Sequence, residues 1–213
     1  MTQSPHRRRF LSLLGAIGAV GFVGSSAADE HSGDHADHNQ DEERDHDDDE
    51  QEDTQRDLNH ADVHFLQMMI PHHEQANEMS ELVPFRTDRR ELLDIAEEII
   101  ASQEGEIITM SEWLVEAGEN PYAHIEMDHE EMMETMEGMH SPEEMERLRS
   151  LEGEAFEREF INLMIDHHQG AIDMSQEVLQ NGEDSAVAQL AEDIIAEQEA
   201  EIAQMQEWCR EWF

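Results

Sequence analysis

Two stretches of this sequence carry the same pattern, 95 residues apart and without a gap. Phe65, Met69, His72, His73, Ala76, Met79 and Ser80 recur as Phe160, Met164, His167, His168, Ala171, Met174 and Ser175. Downstream of each, Gln103, Glu106, Met110 and Trp113 return as Gln198, Glu201, Met205 and Trp208. The apolar positions advance by three and four, the spacing of an amphipathic helix. Within each copy the two helices are separated by a short loop, at 83–86 with Pro84 and at about 181–184, so they pair antiparallel. One such hairpin cannot bury its apolar stripe alone, whereas two stacked hairpins can. The fold expected is all-α: a four-helix bundle made from two duplicated helical hairpins.

The hairpins are read as residues 58–118 and 141–213, joined by a connector at 119–140. Thr87 is the expected cap of the second helix and Gly118 its C-terminal stop. Ser141-Pro142-Glu143-Glu144 supplies an N-cap, a proline at the first helical position and a capping-box glutamate. The third helix is therefore predicted to run unbroken from Pro142 through Gln180. One long crossover between two hairpins is the wiring of ferritin-like bundles.

The segment before the hairpins reads as an address and a tail. Arg7, Arg8 and Arg9 precede an apolar, glycine-rich run that ends in small residues at 25–28. This has the form of a twin-arginine export signal spanning 1–28, and the run is short for a membrane span of roughly 20 residues. Residues 29–57 are almost free of apolar side chains, so they are expected to be disordered. His31, His35, His38 and His46 in this tail could scavenge metal loosely. The expected location is extracytoplasmic or at the cell surface, with no membrane contact after cleavage.

Charge narrows the partners. Lys+Arg is 12 against 54 Asp+Glu, a formal charge of −42, and every basic residue is Arg. Cleavage after Ala28 removes three Arg and no acid, taking the charge to −45. Such a surface repels nucleic acid and anionic lipid. It is also the composition of a protein adapted to high salt, where screening falls to about 3 Å at 1 M. Cys209 is the one cysteine, so neither an internal disulfide nor a cysteine metal cluster can form.

On a helical wheel with Met69 at the centre of the stripe, His72 falls at about −60° and His73 at about +40°. Both flank the buried face. With Gln103 at the centre of the next helix, Glu106 falls at about −60° beside inward isoleucines. Buried groups of this kind need partners. Two readings stand: a structural imidazole–carboxylate network that fixes register, or a metal site on facing helices, each copy holding its own. Imidazole is a common metal ligand and thioether a soft one. The connector adds Met127, Met132, Met133, Met136 and Met139 with His124, His129 and His140. Imidazole and thioether without thiolate, in an exported protein, favour copper and Cu(I) above all.

The two copies of F-x-x-x-M-I-x-H-H-x-x-A, the two Q-x-x-E-I runs and MHSPEEMERL before the second copy resemble the domain-of-unknown-function 305 family. The resemblance covers about Asp57 to the end. It implies a ferritin-like, four-helix, exported protein, and some members of that family are linked to copper binding and tolerance through Met and His. The family signature falls on Met69, His72, His73, Met79, Met164, His167, His168 and Met174. Glu106 and Glu201, inward on the partner helices, complete the candidate ligand set. A metal ion is thus the expected partner, with no partner protein identified and no enzyme activity expected. A metal-free interaction bundle is the alternative. A di-iron oxidoreductase would need Glu-x-x-His, but Met69, Ile70, Met164 and Ile165 stand three residues before the four histidines. No hydrolase triad, phosphate loop or activated cysteine is present.

Overall fold

The computed structural model describes residues 55–123 and 136–213, and every regular element among them is helical. The export signal, nearly all of the acidic tail, and His124, Met127, His129, Met132 and Met133 of the connector lie outside the described residues. Helix α1 spans His60–Leu82 and α2 Arg90–Glu116, with a 3-10 turn at Val83–Phe85 between them. After the crossover come α3 at Pro142–Ser150, α4 at Gly153–Asn181 and α5 at Ser185–Trp212. Close backbone packing joins α1 to α2, α4 to α5, and α1 to α4.

Local chemistry sets the ends. Asn59 opens α1 with a capping box, its side chain accepting from Asp62 N–H while Asp62 reaches back to the Asn59 N–H. Ser141 and Glu144 do the same for α3, with Pro142 at the first position. Gly118, at φ +78°, ends α2: its N–H reaches the Val115 carbonyl and the Glu119 N–H the Leu114 carbonyl. Those two bonds satisfy carbonyls that the helix leaves open.

Two expectations fail here. The stretch from Pro142 through Gln180 is not one helix, because Leu151 and Glu152 are extended and Gly153 turns back at φ +56°. The Gly153 N–H donates to the Arg86 carbonyl at 2.8 Å, so a tertiary bond replaces a helical one at the break. Thr87 does not cap α2, whose cap position is Arg89. Its hydroxyl instead accepts from the Arg89 N–H and donates to buried Glu157.

Acidic residues 95 apart anchor the loops. Buried Asp62 accepts from the N–H groups of Glu183 and Asp184 through Oδ2 at 3.1 and 3.2 Å, tying α1 to the α4–α5 loop. Glu157 on α4 holds Thr87 and Arg89 in the α1–α2 loop, with Arg89 Nε at 2.7 Å. Arg56, just ahead of α1, grips Asp184 with two nitrogens and lies 4.2 Å over the Trp113 ring.

The apolar core falls into two clusters. One gathers Phe65, Leu66, Met69, Ile70, Met110, Leu114, Ala171 and Ile194. The other holds Met79, Leu92, Ile99, Phe156, Phe160, Met164, Met205 and Trp208. Between the clusters every long helix turns a pair of polar residues toward the interior. They are His72 and His73 on α1, Gln103 and Glu106 on α2, His167 and His168 on α4, and Gln198 and Glu201 on α5. A polar layer therefore crosses the middle of the bundle.

Candidate metal centre

All four histidines of the repeated motif are fully buried, as the wheel requires. The antiparallel crossing of α1 and α4 brings His72 against His167, with ring centroids 3.8 Å apart. His168 lies 6.3 Å from His167 on the same measure. The sequence treats the two copies as separate sites, but the helix crossing merges them into one cluster.

Each ring is held from one side. His72 Nε2–H donates to the Glu137 carbonyl at 3.1 Å. A carbonyl can only accept, so His72 carries its proton on Nε2 and a lone pair on Nδ1. His73 Nε2 meets Glu106 Oε2 at 2.6 Å, and His168 Nε2 meets Glu201 Oε2 at 2.6 Å. Among the described residues, the Nδ1 atoms of all four rings, and Nε2 of His167 as well, have no hydrogen-bond partner. Leaving one such buried atom unsatisfied costs about 1–3 kcal/mol.

Burial, then the neighbouring His73, holds the His72 pKa well below its usual value, although the Glu137 carbonyl works the other way. Burial and then His72 do the same to His167. Both rings are neutral at neutral pH, the form that binds metal.

The connector closes this layer. Gly138, at φ +82°, and Gly170 on α4 meet so closely that a Cβ on Gly170 would lie 1.9 Å from the Glu137 oxygen. Behind them His140 is buried, donates from Nε2 to the Leu163 carbonyl at 2.8 Å and lies 5.9 Å from His167. Read in sequence as part of a Met/His cluster, it is here a neighbour of the motif histidines. The direct signal for that was its place two residues before the helix-opening Pro142.

The methionines divide differently. Met69 and Met164 are fully buried beside the layer, one in each apolar cluster. Met79 is buried deeper in the cluster of Met164, and half-buried Met174 packs on that of Met69. Glu106 and Glu201 are brought to the layer, but as partners of His73 and His168. Among the described residues no three His, Cys, Asp or Glu side chains form a group able to hold a metal ion. A cage of the kind that structural zinc requires is thus not preformed there. The paired neutral imidazoles with open Nδ1 atoms fit a softer ion of low coordination number.

The fold and this layer define a class: a helical bundle whose core is crossed by buried imidazoles. The chain belongs to the family described as Domain of unknown function (DUF305), which matches residues 62–209. A DUF305 protein of Streptomyces coelicolor, described as secreted, is 30% identical, with 71% of this chain and 93% of that chain covered and a TM-score of 0.64. CopM in the Cu(I)-bound form is 34% identical over 71% of this chain and 97% of its own, with a TM-score of 0.59. CopM in the Cu(II)-bound form gives 33% identity, coverage of 71% and 97%, and a TM-score of 0.62. No curated protein matches the sequence. Among the described residues no helix is long and apolar enough to cross a membrane.

Proposed function

We propose that this protein is an exported copper-binding protein that buffers copper or confers tolerance to it, and is not an enzyme. One observation carries the reading: four fully buried imidazoles have Nδ1 atoms without partners among the described residues, while three of them donate Nε2–H to a carbonyl or carboxylate. A metal-binding histidine is typically fixed in this way from its far side. The similarity to CopM, solved with Cu(I), Cu(II) and silver, supports copper as the ion. His72 and His167 are the central ligands in this reading, with His73 and His168 beside them. Met69 and Met164 are the nearest thioethers along the helices, whereas Met79 and Met174 serve the apolar core. Glu106 and Glu201 orient His73 and His168.

The competing reading is a metal-free network, favoured by the two short His–Glu contacts. Titration with Cu(I) against a competing chelator, alongside thermal unfolding, separates the two. Because the rings of His72 and His167 touch, either His72→Ala or His167→Ala should remove most of the tightly bound copper. In the structural reading each change lowers stability by about 1–3 kcal/mol and leaves copper stoichiometry as in the parent.

A further inference from the structure

One row of side chains on α1 lies outside the centre described so far. His60, His64, Met68 and His72 stand four residues apart, so they follow one ridge of the helix, rising about 6 Å at each step. Burial deepens along the row. His60 and His64 are exposed, Met68 is 5% exposed and His72 is fully buried. The rings of His60 and His64 stack with centroids 6.2 Å apart. Among the described residues Met68 belongs to neither apolar cluster, although it is buried. The second copy carries Ala155, Glu159 and Leu163 at the matching positions before His167. The duplicated fold therefore does not require these side chains. We infer that His60 and His64 form a surface site that captures one copper ion, and that Met68 passes it inward to His72.

Four residues along one helix face is the spacing at which helices present a histidine pair to a metal. Exposed side chains reorient within nanoseconds, so both rings can turn a nitrogen to one ion. Two donors are enough for Cu(I), a soft ion of low coordination number. Zinc and calcium need larger ligand sets, and no group of three His, Cys, Asp or Glu side chains able to hold a metal stands among the described residues. The thioether of Met68 is soft and turns about three bonds, which lets it meet an ion held by either neighbour in the row. His72 ends the row with an Nδ1 that has no partner among the described residues. The capture site stands on its own geometry, whereas the passage inward rests on the copper reading above.

Capture is tested with Cu(I) under anaerobic conditions, by nuclear magnetic resonance of the histidine rings in the full chain. With the buried cluster removed by His72→Phe/His167→Phe, Cu(I) should shift the His60 and His64 rings together. Ring-specific shifts separate this site from the histidines of the tail. Adding His60→Ala should weaken that binding by about tenfold or more, because the second imidazole of a pair acts at high effective concentration. Rings that do not shift, or an affinity indifferent to His60, overturn the capture site. Passage is tested in the otherwise unchanged chain, by the rate at which copper leaves a coloured chelator. Met68→Leu reproduces the residue of the second copy, so the bundle should fold as before. That variant and His60→Ala/His64→Ala should each slow loading of the buried cluster several-fold and leave its final occupancy as in the parent. Loading at the parental rate overturns the passage. Shifts at His60 and His64 in a parent whose buried rings take no copper would instead overturn the copper reading, and the passage with it.

Discussion

His72 and His167 set the behaviour of the molecule at the scale of single residues. In an unfolded chain their rings take up a proton near about pH 6.5, but in the bundle burial resists it. Below that pH the unfolded state binds more protons than the folded one, so stability is lost as pH falls toward the depressed folded pKa. The raised pKa values of Glu98 and Glu197 act in the opposite sense. The thermal midpoint in constant high salt should therefore fall between pH 7 and pH 5, and a His72→Phe/His167→Phe variant should show a flatter profile. Equal slopes in parent and variant would remove these rings as the source. Copper affinity of the folded protein should hold through neutral pH and fall only toward the depressed folded pKa of these rings, where protons compete for the imidazole lone pairs.

At the scale of elements, the decisive contact is the last turn of the connector on α4. Alanine is the better helix former by about 1 kcal/mol, which on its own would make Gly170→Ala stabilising. The new methyl would stand 1.9 Å from the Glu137 oxygen and 2.8 Å from the Gly138 Cα, both backbone atoms that cannot swing aside. The clash wins, and Gly170→Ala should destabilise by about 1–3 kcal/mol, as overpacked cores do. Displacing Glu137 also frees His72 Nε2, so hydrogen exchange around residues 136–140 should accelerate. A variant as stable as the parent in urea would show that the connector is not seated as described.

At the scale of the whole molecule, charge dominates. With 54 acidic residues against 12 basic ones, self-repulsion opposes the compact state. Its range contracts from about 10 Å at 0.1 M salt to about 3 Å at 1 M. The unfolding midpoint followed by circular dichroism should rise over that interval, and the increase should be as large in potassium chloride as in sodium chloride. A midpoint indifferent to salt would mean that the fold tolerates its charge without screening. The surface ion pairs do not change this balance: Arg158–Glu154 and Arg90–Asp94 are largely exposed, and exposed pairs contribute about 0–1 kcal/mol each.

The sequence by itself determined the helices, their pairing into hairpins and the inward direction of the four histidines. These follow from periodicity: a residue on the apolar stripe is buried whatever the stripe packs against, and Ser141 and Gly118 mark ends by local bonding alone. Only the tertiary structure decided which buried atoms meet. The crossing of α1 and α4 placed His72 on His167, which the spacing within either helix does not encode. The break at Leu151 and Glu152 was signalled by Gly153, but a helical pattern tolerates a glycine, and the bond to the Arg86 carbonyl settled it. Likewise the Glu137 carbonyl became the partner of His72 because two glycines far apart in sequence let two backbones touch. Gln103 and Gln198, from α2 and α5, likewise line one small cavity with Glu106 and Glu201, a meeting that neither helix encodes alone.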